Sequence, residues 1–434
     1  MHWVRTWIQG KVSGGSLRID LQLQDAATGE TIAVVSQTGS EAEIAELVSR
    51  AGASLREQLG IADISASDVN KFKSALPANP TAARLYSAGL AKLRVLDALA
   101  ARDLLEKAVV ADPNHALSHA ALAESWSELG YDAKAGEQAK QALDFSSGLP
   151  REAQLSIEGR YRELINDWPK GIEIYRTLYG FFPDNLNYGL NLTTAQVMSG
   201  RGQDAITTAK SLRRLPSEAG DDVRIDIAEA KAAGAVSDFK REQALAEAAA
   251  NKARAMGASL LLAEALGVDA TALEGLGQRD QAMSAAHKAQ VLYSGSGDLR
   301  GAATTQMLVG GLFEEKGDWK GARTQFEQAL VVFRSIGDQR DTGQALDRIG
   351  NVLYDTGQLA EAESYYGQAL RVDREIKSLF DVAHDLDHMA NALDGLGELK
   401  KAQESYEEAL AIFRVTGKQA GNCRDHVQSG RVAV

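Results

Sequence analysis

The sequence predicts a mostly α fold, a right-handed solenoid of helical hairpins preceded by a small N-terminal α/β unit, on three observations. Four 40-residue blocks align without gaps, the apolar content is chiefly small and aliphatic, and the first 36 residues alternate as strands do. The chain has 434 residues, enough for about three ordinary domains or for one long array. It is 44% hydrophobic but only 6% aromatic, a mixture of Ala, Leu, Val and Ile that lets helices approach closely.

The N-terminal unit comes first. Val4 to Gly10, Leu17 to Leu23 and Thr31 to Val35 alternate as three strands, with Gly14-Gly15 and Thr28-Gly29 as hairpin turns. From Glu41 to Leu59 the apolar residues Ile44, Leu47, Val48, Ala51, Leu55 and Leu59 take helical spacing after a Ser40 cap. A β-β-β-α unit of this size buries little core alone, so further sequence is expected upstream. Residues 62–80, holding Pro77 and Pro80, read as a linker.

Beyond the linker the chain is periodic. The blocks 258–297, 298–337, 338–377 and 378–417 place Gly277, Gly317, Gly357 and Gly397 in register, five residues before Ala282, Ala322, Ala362 and Ala402. Seven residues later come Ala289, Ala329, Ala369 and Ala409, and the last three blocks add Phe326, Tyr366 and Tyr406. The glycine ends the first helix of a hairpin, helix A, in a tight turn. The alanines let helices A and B meet, and the aromatic fills the gap between hairpins, so each unit buries its apolar face only when stacked. Upstream, shorter units carry the same marks: Gly89, Ala101 and Ala108; Gly130, Ala135 and Ala142; Gly159, Gly171 and Tyr175; Gly200 and Ala205. A degenerate unit at 220–257 turns at Ser237-Asp238-Phe239, which brings the count to nine.

These residues, as in LDRIGNVLYDTGQLAEAESYYGQAL, resemble the tetratricopeptide-repeat (TPR) signature in the 40-residue form of kinesin-light-chain-like repeats. The segment GKVSGGSLRIDLQLQDAATGETIAVVSQTG and its helix resemble the closing half of a TolB-like amino-terminal domain, which occurs in bacterial signalling proteins. The expected organisation is a partial α/β unit at 1–60, a linker at 61–80, 34–38-residue repeats at 81–257, four 40-residue repeats at 258–417 and a C-terminal helix or tail at 418–434.

The resemblance implies a concave groove lined by helix A and a scaffold that binds a protein or peptide. The lining positions are Glu314 (with Glu315) in block 298–337; Gln344, Asp347, Arg348, Asn351, Tyr354 and Asp355 in block 338–377; and His384, Asp387, His388, Asn391 and Asp394 in block 378–417. Asn351 and Asn391 stand where the family uses Asn to bond a peptide backbone, since an amide both donates and accepts. Residues 338–417 hold 16 Asp plus Glu and 8 Lys plus Arg, a net −8, so a basic segment is the expected ligand. The Lys/Asn carboxylate clamp of chaperone-binding TPR proteins is not reproduced, because acids stand where its lysines should be.

Other functions find little support in the sequence. A net charge of −12 repels phosphate backbones, so no direct nucleic-acid partner is expected. Cys423 is the single cysteine and has no partner for a disulfide or metal site. His115/His119 and His384/His388 stand at i, i+4 but lack a third ligand, and read as helix-surface histidines rather than a metal site. Gly295-Ser296-Gly297 with Gly301 falls on an inter-repeat turn with no strand before it, and Trp168 and Trp319 read as staples at the start of helix B. No catalytic motif and no cofactor site is recognised, so the chain is expected not to be an enzyme. Absence of about 18 uncharged apolar residues in a row predicts no membrane segment and a cytoplasmic chain, or a periplasmic one if a membrane segment lies upstream. Two further expectations are self-association through exposed solenoid ends, and a place as the sensory part of a longer kinase or winged-helix regulator.

Overall fold

The computed structural model describes residues 4–13, 16–25, 30–40, 44–60, 74–94, 97–215 and 217–416. It divides into two compact units: residues 1–122 with 138–157, and residues 123–137 with 158–434.

In the first unit, β1 (Val4–Ser13), β2 (Ser16–Asp25) and β3 (Thr31–Ser40) form an antiparallel sheet in the order β1-β2-β3, with an irregularity at Leu23/Gln24. Each strand is longer than its alternating pattern suggested, and the expected turns at Gly14-Gly15 and Thr28-Gly29 lie outside the described residues. Helix α1 (Ile44–Gln58) covers β2 and β3, so that Ile19, Ala33, Val35, Leu47 and Ala51 are buried while Ile32 and Val34 face outward. The residues expected to open this helix, Glu41 to Glu43, also lie outside the described ones.

The unit continues with α2 (Pro80–Leu93), α3 (Ala98–Ala111), parts of α4 (Ala116–Glu128) and α5 (Asp132–Asp144), and the start of α6 (Arg151–Leu164). Pro80 opens α2 where its missing N–H costs nothing, and the Asn79 side chain caps it by accepting from the Ala82 amide. Here the histidine expectation needs correction. His115 and His119 are buried at 4% and 1% exposure, not at the surface. His115 bonds Ser118 Oγ at 2.7 Å and the Ala75 carbonyl at 3.2 Å, and His119 bonds Gln138 Oε1 at 2.8 Å and the Pro113 carbonyl at 2.9 Å. All four ring nitrogens are engaged in a core, which leaves none for a metal.

The second unit holds the rest of α6, then α7 (Trp168–Phe181), α8 (Leu186–Met198), α9 (Gly202–Leu212), a single turn α10 (Ser217–Gly220), α11 (Val223–Gly234) and α12 (Phe239–Met256). Four hairpins follow: α13 (Ser259–Gly275) with α14 (Arg279–Gly295), α15 (Leu299–Glu315) with α16 (Trp319–Ile336), α17 (Gln339–Asp355) with α18 (Leu359–Ile376), and α19 (Leu379–Gly395) with α20 (Leu399–Thr416). Within these four hairpins each helix packs on the next, the arrangement of a helical-repeat solenoid. Residues 418–434, with Cys423, lie outside the described residues.

The register explains the packing. Gly277, Gly317, Gly357 and Gly397 take φ between 72° and 79°, and the amides around them close Schellman turns, such as Gln358 N–H to the Leu353 carbonyl at 2.8 Å. Gly310 and Gly350 let the aromatic of the facing helix B come close: an added Cβ would fall 2.3 Å from the Phe326 ring and 2.5 Å from the Tyr366 ring. Phe326 and Tyr366 thus sit on their own helix A as well as in the core shared with the next hairpin. Each such ring contributes about 2–3 kcal/mol by burial. Trp168 and Trp319 open α7 and α16, and Trp319 packs on that same core.

The degenerate hairpin keeps the same 40-residue register. Ser237 occupies the glycine position with φ 59°, Asp238 caps α12, and Glu242 stands where the other blocks have alanine.

Candidate functional site: an acidic cleft among successive hairpins

Helix α17 shows how the site is presented. Ala345, Leu346, Ile349, Val352 and Leu353 follow the helical period and are buried. The opposite stripe, Gln344, Asp347, Arg348 and Asn351, faces a cleft of about 590 Å³. α15 supplies Met307, Leu308 and Gly311 to its wall, α13 supplies Glu274, and α19 supplies Asp381, His384, Asp385 and His388. Asp373, from α18, closes the floor together with Gly343. Among these lining residues five are acidic and Arg348 is the sole permanent cation.

The side chains are tied to one another. Asp347 accepts from Asn351 Nδ2 at 3.0 Å, and its other oxygen lies 2.6 Å from His388 Nδ1. Burial lowers the affinity of the His388 imidazole for a proton, but the hydrogen bond to Asp347 and the charges of Asp347 and Asp387 outweigh it and raise its pKa above the ordinary value. His384 moves the other way, through burial and then the neighbouring His388. Arg348 reaches Glu314 at 3.5 Å. Burial raises Glu274 and Glu314, with nearby acids adding to it.

Six of the positions expected from the sequence line the cleft: Gln344, Asp347, Arg348, Asn351, His384 and His388. Glu314 stands behind Arg348, and Glu315 is engaged by Arg279 at 2.6 Å. Tyr354, Asp355, Asn391 and Asp394 fall outside the cleft lining, and Asp387 is buried at 7% exposure. The two asparagines are held from below. Tyr366 Oη donates to Asn351 Oδ1 at 2.8 Å, and Tyr406 Oη donates to Asn391 Oδ1 at 2.8 Å. Asn391 Nδ2 in turn donates to the Asp387 carbonyl at 2.9 Å.

The acids that sequence reasoning missed lie deepest. Asp373 and Asp385 are 3% and 2% exposed and hydrogen-bond each other, and burial raises the pKa of both, each also feeling the charges of Asp347 and Asp381. Their signal was a break in the register. Position 373 is Tyr293, Phe333 and Phe413 in the other blocks, and position 385 is Ala265, Thr305 and Ala345 in the earlier ones.

Residues 301–375 and 341–416 match the tetratricopeptide-repeat family model. No curated protein matches the sequence. Among solved structures, a signal-transduction ATPase with numerous domains and a TPR sensor, from Pyrococcus horikoshii, is similar at 12% identity and a TM-score of 0.48. The match covers 71% of this chain and 52% of that one, so this chain spans about half its length. A Rap protein complexed with competence and sporulation factor is similar at 13% identity and a TM-score of 0.45, over 71% of this chain and 96% of that one. BtubC from P. vanneervenii is similar at 16% identity and a TM-score of 0.43, over 54% of this chain and 93% of that one. These likenesses concern the fold alone.

Proposed function

We propose that this chain is a non-catalytic scaffold whose groove on α15, α17 and α19 holds a basic segment of a partner protein. The observation that carries the reading is the make-up of the cleft lining: five acids, Glu274, Asp347, Asp373, Asp381 and Asp385, against one arginine. TPR repeats are interaction modules, and a groove of this charge steers and selects cationic partners while it repels acidic ones. Glu274, Gln344 and Asp381 at the margin meet the ligand first, and Met307 and Leu308 offer apolar wall to the stems of long basic side chains. Asn351, whose Oδ1 accepts from Tyr366 and whose Nδ2 keeps a second N–H beyond its bond to Asp347, acts as a donor toward a peptide rather than as a two-way clamp.

The reading is tested with a fluorescein-labelled pool of nine-residue peptides rich in Lys and Arg, followed by anisotropy. Binding that weakens with salt, and falls at least about 10-fold in the variant Glu274→Lys with Gln344→Lys, supports the groove. Equal affinity of variant and parent places the interface elsewhere on the chain.

A further inference from the structure

We propose that the floor of the cleft is a subsite for one guanidinium group, held by Asp373 and Asp385, whose carboxyls fit there because position 343 is glycine. The inference rests on the reading that the groove takes a basic segment, and it names the side chain read there.

The register shows that these acids are not structural necessities. In the preceding interface the equivalent pair is Phe333 with Ala345, buried at 1% and 0% exposure, and it packs without any polar group. Position 343 is likewise Ala263, Ala303 and Ala383 in the other blocks. Here it is Gly343, and a Cβ there would fall 2.5 Å from Asp373 Oδ1. Two carboxyls and the space for them therefore occur together at one hairpin interface.

Among the described residues no cation is paired with them. Three other buried acids of this unit have cations: Asp226 and Glu229 are met by Arg213 at 2.6 and 2.8 Å, and Asp338 by Arg300 at 2.8 Å. Asp385, 98% buried, leaves Oδ2 without a hydrogen-bond partner on the wall of the cleft. The groups that line the cleft around the pair are Asp347 and Arg348 from α17, Asp381, His384 and His388 from α19, and Glu274 from α13, with only apolar residues and glycine from α15. Arg348 is engaged with Glu314. Burial and the neighbouring acids hold a proton on the empty pair.

A planar guanidinium donates parallel N–H groups to two carboxylates and is more weakly hydrated than an ammonium, which suits carboxyls as buried as Asp373 and Asp385. When it binds, it replaces the shared proton, which leaves to solvent.

Calorimetry of the full chain with acetyl-Ala-Ala-Ala-Arg-Ala-Ala-Ala-amide and its lysine counterpart, in two buffers of different ionisation heat near neutral pH, tests this. Expected are at least about 10-fold tighter binding of the arginine peptide and release of about one proton. The variant Asp373→Phe with Asp385→Ala, which restores the Phe333/Ala345 pairing, should lose the arginine preference and the proton release while still binding the lysine peptide; its thermal melt reports that it is folded. If both peptides bind the parent equally and the variant changes neither, the subsite is wrong and the groove stands. If neither peptide binds the parent, both readings fall.

Discussion

At Lys377 the backbone takes φ 61°, where the preceding blocks have Gly257, Gly297 and Gly337 at φ 67° to 78°. A side chain in this region costs about 1–2 kcal/mol, part of which the lost freedom of glycine in the unfolded chain offsets. Lys377→Gly should therefore raise the midpoint of urea unfolding by about 1 kcal/mol equivalent, and no change would show that the turn carries no strain. A second residue-scale effect lies in the Tyr366–Asn351 bond of 2.8 Å. In the preceding block the same two positions hold Phe326 and Gly311, a pair with no hydroxyl and no amide. Tyr366→Phe should cost about 1 kcal/mol by leaving the Asn351 oxygen unpaired, and a double-mutant cycle with Asn351→Ala should recover most of it. Additive losses would mean that the bond contributes nothing.

The element most out of keeping with its neighbours is the hairpin α11–α12. Its Glu242, 4% exposed with Oε2 unpartnered, sits so close to Gly234 that a Cβ there would come within 2.5 Å of Glu242 Oε1. Burial alone lifts its pKa from 4.5 to about 7. The folded state then keeps a proton that the unfolded chain gives up, so this group's contribution is full below pH 4.5 and is lost as pH rises to about 7. Glu242→Gln should stabilise the protein by about 2 kcal/mol at pH 8 and flatten that part of the stability profile, read by urea titration across pH. An unchanged slope would contradict the assignment. Elements of this kind also show what sequence could and could not convey. The glycine, alanine and aromatic positions declare the hairpins because close helix packing tolerates few alternatives there, and even Ser237 and Glu242 keep the spacing. Helical spacing likewise put Gln344, Asp347, Arg348 and Asn351 on one face. It could not join Asp373 on α18 to Asp385 on α19, whose contact depends on the packing of separate helices. Nor could it show that His115 and His119 are buried, since their partners come from Ala75 and Gln138, far along the chain.

At the scale of the larger unit, hydrogen bonds and ion pairs reach beyond successive hairpins. Arg300 joins Glu128 at 2.7 Å and the fully buried Asp338 at 2.8 Å, while the Gln339 amide donates to the Leu129 carbonyl at 3.0 Å. Arg300→Ala would leave Asp338 buried without its cation and should cost about 3 kcal/mol in calorimetry, whereas a loss near zero would show the contact to be incidental. Among the described residues no helix is long and apolar enough to cross a membrane, and the proposed role rests on what the groove holds. Hydrogen–deuterium exchange of the full chain, with and without a saturating Arg-containing basic peptide, tests it most directly. Slowed exchange is expected on the cleft-facing turns of α15, α17 and α19, with α16 and α20 unchanged. Protection confined to the B helices or to the β1–β3 sheet would contradict it.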